Sequence, residues 1–346
     1  MTRLMTAAVL HGREDVRIER VPVPEPAHGE VVLRNHVALT CGTDVKVFLR
    51  GYHARMIAPP ALFGHEVSGV VEEVGPGVEN VRRGAAVVVA NSAPCSHCEY
   101  CRSERANLCE DLLFWNGAYA EYSRIPARLV RSNLLPHPPG FTHRQAAIVE
   151  PLACAVRGVE ACGIKPGQSV AVIGVGALGL MLIALARREG ASVWAVGRNR
   201  DRLARAEALG AAETLSTLDE PDLAAALLRR GRGGRGPDVV IEAAGTKETA
   251  EAALLAVRKG GLVNLFAGCP AETRLEVDAP RLHYDELTVK STFHHTPRSV
   301  RQALQLIADG DVDPAAFITA EAPLEEVPQV LRRLAQGDGL KTAILP

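Results

Sequence analysis

The second half of the chain alternates short apolar runs with amphipathic stretches, and this alternation limits the possible folds more than any other feature. From about residue 154 the apolar runs are SVAVIG, SVWAVG, PDVVIEAAG and GGLVNLFAG. Helix-like stretches such as ALGLMLIALARREG and RDRLARAEALG lie between them. Such alternation is typical of a parallel sheet with crossover helices. The sequence therefore predicts a doubly wound α/β domain of the Rossmann type over residues 154–293.

A glycine-rich turn follows the first of these apolar runs and begins a helix. Its glycines are Gly174, Gly176 and Gly179, with Ala177 and Leu178 between the last two. The first glycine permits a tight turn, the second lets backbone approach a pyrophosphate, and the third allows close packing of helix on strand. A helix N-terminus also stabilises phosphate charge. This strand–turn–helix context predicts a dinucleotide site formed by these five residues.

The next strand, SVWAVG, ends where a dinucleotide site distinguishes its cofactors. NAD sites usually place an acidic residue there to bind the ribose diol. This chain has Gly197 followed by Arg198, and Arg200 lies two residues further on. An arginine attracts the 2′-phosphate that only NADP carries, although solvated arginines are common in such loops. The sequence thus favours NADP over NAD.

The first part of the chain has a different character. Short apolar and alternating runs such as GEVVLRNHVALTCG and HEVSGVVEEVG are separated by proline and glycine, which indicates a mainly-β domain over residues 1–153. After residue 293 two helix-like stretches and the strand-like KTAILP follow. Because residues 294–346 are too few to form a domain of their own, we expect them to rejoin the N-terminal domain.

Four of the eight cysteines are crowded into a short segment. Cys95, Cys98, Cys101 and Cys109 have the spacing C-x2-C-x2-C-x7-C. Four soft thiolates match a closed tetrahedral zinc site, which is structural because it leaves no position open. Iron–sulfur proteins have similar spacings, and two incidental disulfides or free thiols are further alternatives. We favour structural zinc in a lobe over residues 92–112.

A second group of potential metal ligands is mixed in type. Cys41 lies in CGTD, His65 and Glu66 lie in GHE, and Glu150 lies in IVEPLAC. Catalytic zinc prefers such a combination of thiolate, imidazole and carboxylate, with one position left for water or substrate. Each residue alone is a weak signal, because isolated cysteines and histidines are common in protein cores.

The chain resembles the zinc-containing medium-chain dehydrogenase family over nearly its whole length. The segment G64-H65-E66-x2-G69-x5-G75-x2-V78 matches the family's zinc signature, and CGTD, the four cysteines and the glycine-rich turn occur in the family's order. The resemblance implies a GroES-like fold for the N-terminal domain. It also implies that Cys41, His65 and Glu66 bind a catalytic zinc ion, and that the protein is a dimer or tetramer.

The same resemblance suggests roles for four further residues. Glu150 stands where many relatives have a fourth cysteine ligand, as in the sorbitol and threonine dehydrogenase branch, where the glutamate binds zinc directly or through water. Thr43 matches the hydroxyl that relays the substrate proton. Lys46 replaces the histidine that often ends this relay, so either the proton leaves through ribose and water or the folded site makes Lys46 a base. We favour the interpretation of Lys46 as a solvated or cofactor-contacting cation. Arg202 matches an arginine that lies over adenine.

These features predict oxidation of a secondary alcohol to a ketone, with zinc polarising the hydroxyl group and hydride passing to NAD(P). A polyol, sugar or aminocyclitol suits the acidic surroundings, and a threonine 3-dehydrogenase-like reaction is the first alternative. A non-catalytic NADP-binding protein is less favoured, because it would not need the ligands. His294 and His295 are equally consistent with substrate or cofactor contact and with a surface pair.

Composition excludes other classes of function. The formal charge of −1 gives no basic field for nucleic acid or an anionic membrane. No apolar run approaches the length of a membrane span, and the N-terminus has no clear signal-peptide pattern. We therefore expect a cytoplasmic protein that acts on a small molecule.

Overall fold

The computed structural model describes residues 3–346, which form eighteen strands and twelve α-helices. The strands are β1 (Leu4–Gly12), β2 (Asp15–Pro22), β3 (Val31–Leu39), β4 (Ala61–Leu62), β5 (Glu66–Val74), β6 (Ala86–Val89), β7 (Ser92–Ala93), β8 (Leu113–Phe114), β9 (Tyr122–Ile125), β10 (Leu134–Pro136), β11 (Ser169–Ile173), β12 (Ser192–Gly197), β13 (Glu213–Ser216), β14 (Val239–Glu242), β15 (Leu262–Leu265), β16 (Thr288–Ser291), β17 (Ile318–Pro323) and β18 (Lys341–Leu345). The helices are α1 (Gly42–Arg50), α2 (Glu99–Arg102), α3 (Ala127–Ser132), α4 (His143–Ala147), α5 (Val149–Cys162), α6 (Ala177–Arg188), α7 (Arg200–Ala208), α8 (Leu223–Arg230), α9 (Lys247–Ala256), α10 (Ala279–Tyr284), α11 (Pro297–Ala308) and α12 (Val327–Ala335).

The chain divides into two compact units, one of which is made of two segments. Unit 1 runs to Ala153 and resumes at His295–Pro346, and unit 2 is Cys154–His294. The second boundary therefore falls after His294, one residue beyond the position expected from the sequence. No helix in residues 3–346 has the length and apolarity needed to cross a membrane.

Unit 1 is mainly β-structure. Its largest sheet has the order β10-β6-β5-β3-β18-β17, with β9 also paired to β3. The sheet packs a core of buried apolar side chains that includes Leu33, Val67 and Ile344. Ile344 belongs to β18, whose pairing with β3 joins the end of the chain to this sheet. The smaller sheets have the orders β2-β1-β4 and β7-β8.

Two neighbouring strands of unit 1 place the first candidate ligands. Strands β3 and β5 pair antiparallel, with Leu39 opposite Glu66. Since β3 ends at Leu39 and β5 begins at Glu66, the segments around Cys41 and His65 lie at the same end of the pair. Pairing with β3 also brings β18 to this region, where Ala343 is opposite Leu39.

Unit 2 has the doubly wound parallel sheet that the sequence predicts. Its strand order is β13-β12-β11-β14-β15-β16, and every pairing is parallel. The order reverses between β11 and β14, the point at which such sheets bind their ligands. Buried residues such as Ile173, Val196 and Val240 form its core. At the edge, all four residues of β16 are exposed.

Candidate active site

Cys41 begins helix α1 and uses both its side chain and its backbone to do so. Its Sγ accepts a hydrogen bond from the backbone N–H of Thr43 (3.4 Å), while its own N–H donates to Asp44 Oδ2 (2.9 Å). This reciprocal arrangement is a capping box, which satisfies N–H groups that the first helical turn leaves without partners. The helix start therefore holds the thiol of Cys41 and the carboxylate of Asp44 in place together.

The ligand atoms of Cys41, His65 and Glu66 lie within 4.8 Å of one another. His65 and Glu66 are buried, and Cys41 is partly exposed. Thiolate, imidazole and carboxylate are the donor types that catalytic zinc prefers, so the residues present fit that metal. Glu150 does not belong to this compact group, although it lies in the same unit.

Asp44 lies behind His65 and fixes its ring. Asp44 Oδ1 accepts a hydrogen bond from His65 Nδ1 (2.9 Å), and both side chains are buried. A histidine that binds metal commonly donates its other ring N–H to a carboxylate, which sets the tautomer and the ring orientation. The Asp44 contact thus assigns the proton to Nδ1 and leaves Nε2 for a metal ion.

Charge at this centre favours the ligand form of the thiol. Burial opposes ionisation of Cys41, but its hydrogen bond to His65 and the charge of Lys341 outweigh burial and lower the pKa of the thiol to about 7. Burial also opposes a charged His65, yet the carboxylate of Asp44 raises the pKa of this imidazole well above its ordinary value. The positive charges of His65 and Lys341 therefore stabilise the thiolate of Cys41 as a metal cation would.

Glu66 makes a buried ion pair that the sequence analysis did not foresee. Lys341 Nζ donates to both carboxylate oxygens of Glu66 at 2.6 Å and to the backbone oxygen of Thr40 at 2.9 Å. Burial favours the neutral amine, but the charge of Glu66 raises the pKa of Lys341. To bind a metal ion, Glu66 would have to share or release one of these oxygens.

Glu150 is buried beside His295 and Asn91. His295 Nε2 lies 3.5 Å from Glu150 Oε1 and 3.2 Å from Asn91 Oδ1. Burial raises the pKa of Glu150 to about 7, while the charge of His65 acts in the opposite direction. The structure thus buries His295 next to a predicted ligand and excludes the surface-pair interpretation for this histidine.

The proposed relay residues lie on α1. Thr43, next to Cys41 in space through its N–H contact, is partly exposed. Lys46 is exposed one turn later on the same helix. The role of Lys46 stays a prediction.

The four clustered cysteines form a second, closed group. The ligand atoms of Cys95, Cys98, Cys101 and Cys109 lie within 4.8 Å of one another, and none of these cysteines is in a disulfide. Backbone N–H groups point at the sulfurs, including that of Cys98 to Cys95 (3.3 Å) and that of Cys95 to Cys109 (3.1 Å). A hydrogen bond from the Glu110 backbone outweighs burial and lowers the pKa of Cys98 to about 6. Four thiolates in this arrangement fit a structural zinc ion, and the disulfide alternative is wrong.

The glycine-rich turn of unit 2 has the geometry of a phosphate-binding turn. Gly174 has φ +111°, and a Cβ there would lie 2.8 Å from the backbone of Ala243. A Cβ on Gly179 would lie 1.7 Å from Gly174 O, so helix α6 can pack on its strand only with glycine at this position. Gly176 precedes the helix and faces open space, which leaves room for a ligand's phosphates.

The arginines that follow β12 differ in their contacts. Arg200 donates to both carboxylate oxygens of Asp219 (2.9 and 3.1 Å), whereas Arg198 is exposed and pairs with no carboxylate in the part of the chain that the structure describes. Arg202 lies in the first turn of α7, whose N-cap is Asn199. A Cβ on Gly197 would lie 2.3 Å from Val175 Cγ2, so an acidic residue at the position where NAD enzymes carry one would require the Val175 side chain to move.

Both units match families of known proteins. Residues 27–137 match the alcohol dehydrogenase GroES-like domain, and residues 177–309 match the zinc-binding dehydrogenase family. D-xylulose reductase A of Aspergillus niger is 33% identical over 97% of this chain and 95% of its own length. Sorbitol dehydrogenase of Bacillus subtilis (strain 168) is 28% identical over 99% of this chain and 97% of its own length. The chain belongs to the zinc-containing medium-chain dehydrogenase family, in its sorbitol dehydrogenase-like branch.

Solved structures agree with this assignment. A protein from Sinorhizobium meliloti 1021, crystallised with bound NADP, has a TM-score of 0.91 and 30% identity, and the match covers 99% of this dehydrogenase and 100% of that chain. The family is one of zinc-dependent alcohol and polyol oxidoreductases, so the reaction class expected from the sequence is confirmed, as is the GroES-like fold of the N-terminal domain.

Sequence reasoning missed several polar residues of the dehydrogenase that surround the candidate ligands. They are Asp44, Asn91, Tyr119 and Lys341. Asp44 had a local signal, because it stands three residues after Cys41 in capping-box spacing. The other three come from distant segments and carry no pattern by which a single sequence could link them to the site.

Proposed function

We propose that this dehydrogenase oxidises a secondary hydroxyl group of a polyol or related sugar alcohol to a ketone, reversibly, with NADP as the hydride acceptor. The observation that carries the proposal is the Cys41–His65 pair with Asp44 hydrogen-bonded to His65 Nδ1 (2.9 Å), because this is the arrangement of a metal centre with one ligand oriented from behind. The names of the relatives, sorbitol dehydrogenase and D-xylulose reductase, support the substrate class.

We infer that Cys41, His65 and Glu66 hold one zinc ion, with Glu150 binding directly or through water. Zinc at this place supplies a Lewis acid that polarises the substrate hydroxyl group. The four-cysteine group holds a second, structural zinc ion in the lobe over residues 92–112. Glu66 would share one of its oxygens between the metal ion and Lys341, since both oxygens contact Nζ.

The protein's own residues orient the substrate and move its proton. Thr43, beside Cys41 at the start of α1, accepts the hydroxyl proton while its own hydroxyl proton passes to water, which is general-base work through a hydrogen-bonded chain. NADP bound by unit 2 would supply the hydride acceptor. Buried Glu66 and Glu150, together with Lys341 and His295, make the surroundings polar, as a substrate with several hydroxyl groups requires.

In unit 2 the cofactor-binding residues are the glycine-rich turn and the loop after β12. The turn comprises Gly174, Gly176, Ala177, Leu178 and Gly179, and the loop contributes Gly197, Arg198 and Arg202. Arg198 is exposed and can contact a 2′-phosphate. The Val175 side chain leaves little room at Gly197 for the acidic residue that an NAD site carries. The NADP bound in the Sinorhizobium meliloti relative supports this preference.

We further propose that unit 1 is the catalytic domain and unit 2 the dinucleotide domain of a cytoplasmic homo-oligomer, a dimer or a tetramer. The exposed edge strand β16 supports the oligomer, because unpaired N–H and C=O groups at a sheet edge readily pair with another chain. Sedimentation of the purified protein would measure the oligomeric state.

A substrate panel tests the reaction. Polyols, simple secondary alcohols and L-threonine are offered with NADP+ or NAD+, and reduced cofactor is followed by absorbance. We expect turnover of polyols with NADP+, its loss on chelation and its return with Zn2+. Fastest turnover of L-threonine would instead establish the amino-alcohol alternative. Absence of turnover in the zinc-loaded protein across the whole panel would contradict the proposal.

A further inference from the structure

Tyr119 is fully buried near the candidate zinc ligands, and its hydroxyl group contacts Asp44. The distance from Tyr119 Oη to Asp44 Oδ2 is 2.6 Å, and Oδ2 also accepts the N–H of Cys41 at 2.9 Å. The other carboxylate oxygen, Oδ1, lies 2.9 Å from His65 Nδ1. Asp44 is therefore held by three donors, two of which belong to the candidate ligand residues.

The phenol has a better acceptor in Asp44 than in its other neighbour. The backbone oxygen of Leu39 lies 3.2 Å from Tyr119 Oη, compared with 2.6 Å for Asp44 Oδ2. A phenol has one proton to donate, and a bond to a carboxylate is shorter and stronger than one to a neutral carbonyl. We therefore assign the proton to the bond with Asp44.

The segment that carries His65 also holds the ring of Tyr119. Gly64 has φ +83°, and a Cβ there would lie 2.7 Å from the ring. Phe63 packs edge-on at a centroid distance of 5.8 Å, and its backbone oxygen accepts the N–H of Tyr119 (2.9 Å). Because residues 63 and 64 directly precede His65, the tyrosine and the imidazole are fixed relative to each other.

We propose that Tyr119 is a positioning residue of the metal centre, which holds Asp44 in the orientation that keeps the proton on His65 Nδ1 and leaves Nε2 for zinc. The inference rests on the proposed function, because it takes Cys41 and His65 as zinc ligands. Rotation of the Asp44 carboxylate would break hydrogen bonds on both oxygens, and the bond from Tyr119 Oη is the shortest of the three (2.6 Å). Loss of the Tyr119 hydroxyl group leaves Oδ2 with the Cys41 N–H alone, so the orientation of His65 becomes less well defined.

The chain offers matched variants for a test. Tyr119→Phe removes only the hydroxyl group and keeps the ring in the core. Tyr122→Phe is the control, because this tyrosine lies three residues later and its hydroxyl group contacts Arg3 at the surface. Asp44→Asn removes the negative charge beside His65 and one of the two acceptor oxygens, and it calibrates the effect of losing the carboxylate.

Zinc release provides a readout that does not depend on turnover. Each zinc-loaded variant is mixed with excess chelator, and released zinc is followed with a colorimetric indicator. We expect two kinetic phases of zinc release, one from each zinc site. Cys41→Ser identifies the phase that belongs to the Cys41–His65 centre, and release from the four-cysteine group serves as an internal reference. We expect Tyr119→Phe to speed release from the Cys41–His65 centre about 3–10-fold and Asp44→Asn about 10–100-fold, with the reference phase unchanged. Tyr122→Phe should release zinc like the original protein.

The outcomes separate this inference from the function on which it rests. If the original protein turns over alcohols and shows both phases, but Tyr119→Phe matches Tyr122→Phe, the positioning role is overturned and the function stands. Equal acceleration of both phases would show a general structural effect and would also overturn the role. If the original protein holds no zinc at the Cys41–His65 centre, both the function and the inference are wrong.

Discussion

Lys341 and Glu66 form an ion pair in which both charges are almost fully removed from water. The side chains are 2% and 0% exposed, and two hydrogen bonds of 2.6 Å join them. A pair of this kind adds little net stability compared with apolar residues of the same shape, because desolvation cancels most of the attraction. Removing one partner is different, since the other charge is left buried without compensation.

Lys341→Met should therefore lower the free energy of unfolding at pH 7 by about 3–5 kcal/mol in the metal-free protein. Urea denaturation followed by circular dichroism measures this loss. Adding Glu66→Gln to the same protein should recover part of it, because the uncompensated carboxylate is gone. Arg34→Met, which breaks the exposed Arg34–Glu72 pair at 4.0 Å, is the control and should cost less than about 1 kcal/mol. A loss no larger for Lys341→Met than for Arg34→Met would contradict the argument.

At the scale of elements, the loop from β12 to α7 shows how packing determines a specificity position. The sequence alone suggests Gly197→Asp with Arg198→Ala as a change towards NAD. Because a Cβ at Gly197 would lie 2.3 Å from Val175 Cγ2, the structure calls for Val175→Ala in addition.

The triple variant Val175→Ala, Gly197→Asp, Arg198→Ala should lower the NADP-to-NAD ratio of kcat/KM by about 10–100-fold, because an acid replaces the cation that meets the 2′-phosphate. Initial rates with each cofactor give the ratio. Val175→Ala alone is the control for packing, and Arg200→Ala should have a smaller effect, since Asp219 already holds Arg200. An unchanged ratio in the triple variant would refute this interpretation of the loop.

A group of histidines links β3, β5 and α4. Ser68 Oγ lies 2.7 Å from His137 Nε2 and 2.8 Å from His143 Nδ1, and its hydroxyl group donates to Val87 O (2.9 Å). The ring of His36 stacks on that of His143 at 4.3 Å. Burial lowers the pKa of all three histidines, that of His143 to about 4.

This group predicts a specific loss of stability in acid. Below pH 6.5 His143 takes up a proton in the unfolded state, whereas in the folded state it does so only near pH 4. Its contribution to the free energy of unfolding is therefore complete above pH 6.5 and is lost as the pH falls from 6.5 to 4. We expect His143→Gln to flatten the decline by about 1–3 kcal/mol compared with the original protein. Urea midpoints between pH 7 and 4 measure the effect. An equally steep slope in His143→Gln would disprove the assignment.

On the scale of the whole molecule, each unit has its own core and its own candidate ligand site. The buried apolar residues of unit 1 and of unit 2 form separate clusters. The four-cysteine lobe belongs to unit 1, whereas the glycine-rich turn lies in unit 2. A structural zinc ion should thus stabilise the lobe and unit 1 without contributing to cofactor binding.

Cys98→Ser should remove the structural zinc ion and lower the melting temperature by more than about 5 °C, because zinc binding to such a site is part of the free energy of folding. The dissociation constant of NADP+ should stay within about twofold, because the lobe and the glycine-rich turn belong to different units and share no residues. Metal analysis, calorimetry and cofactor titration measure the three quantities. Cys269→Ser, at a cysteine outside the cluster, should keep all bound zinc. A full zinc complement in Cys98→Ser would rule out the assignment.

What the sequence alone could determine was local. The parallel sheet and the glycine-rich turn follow from strand and helix periodicity, and the four-cysteine group follows from spacings of at most eight residues along the chain. Cys41, His65 and Glu66 were predicted because short motifs place them, and β3–β5 pairing brings these motifs to one place. In each case the neighbours in space are neighbours in sequence or belong to elements with a recognisable pattern.

The tertiary structure alone decided which polar groups surround those ligands. Lys341 is 275 residues from Glu66, and Tyr119 is 75 residues from Asp44. Nothing in the local sequence links such residues, because a lone lysine or tyrosine has the same periodicity and propensity wherever its side chain ends. They meet because burying β18 and the segment before β9 against β3 leaves polar groups without water, and each such group then requires a partner.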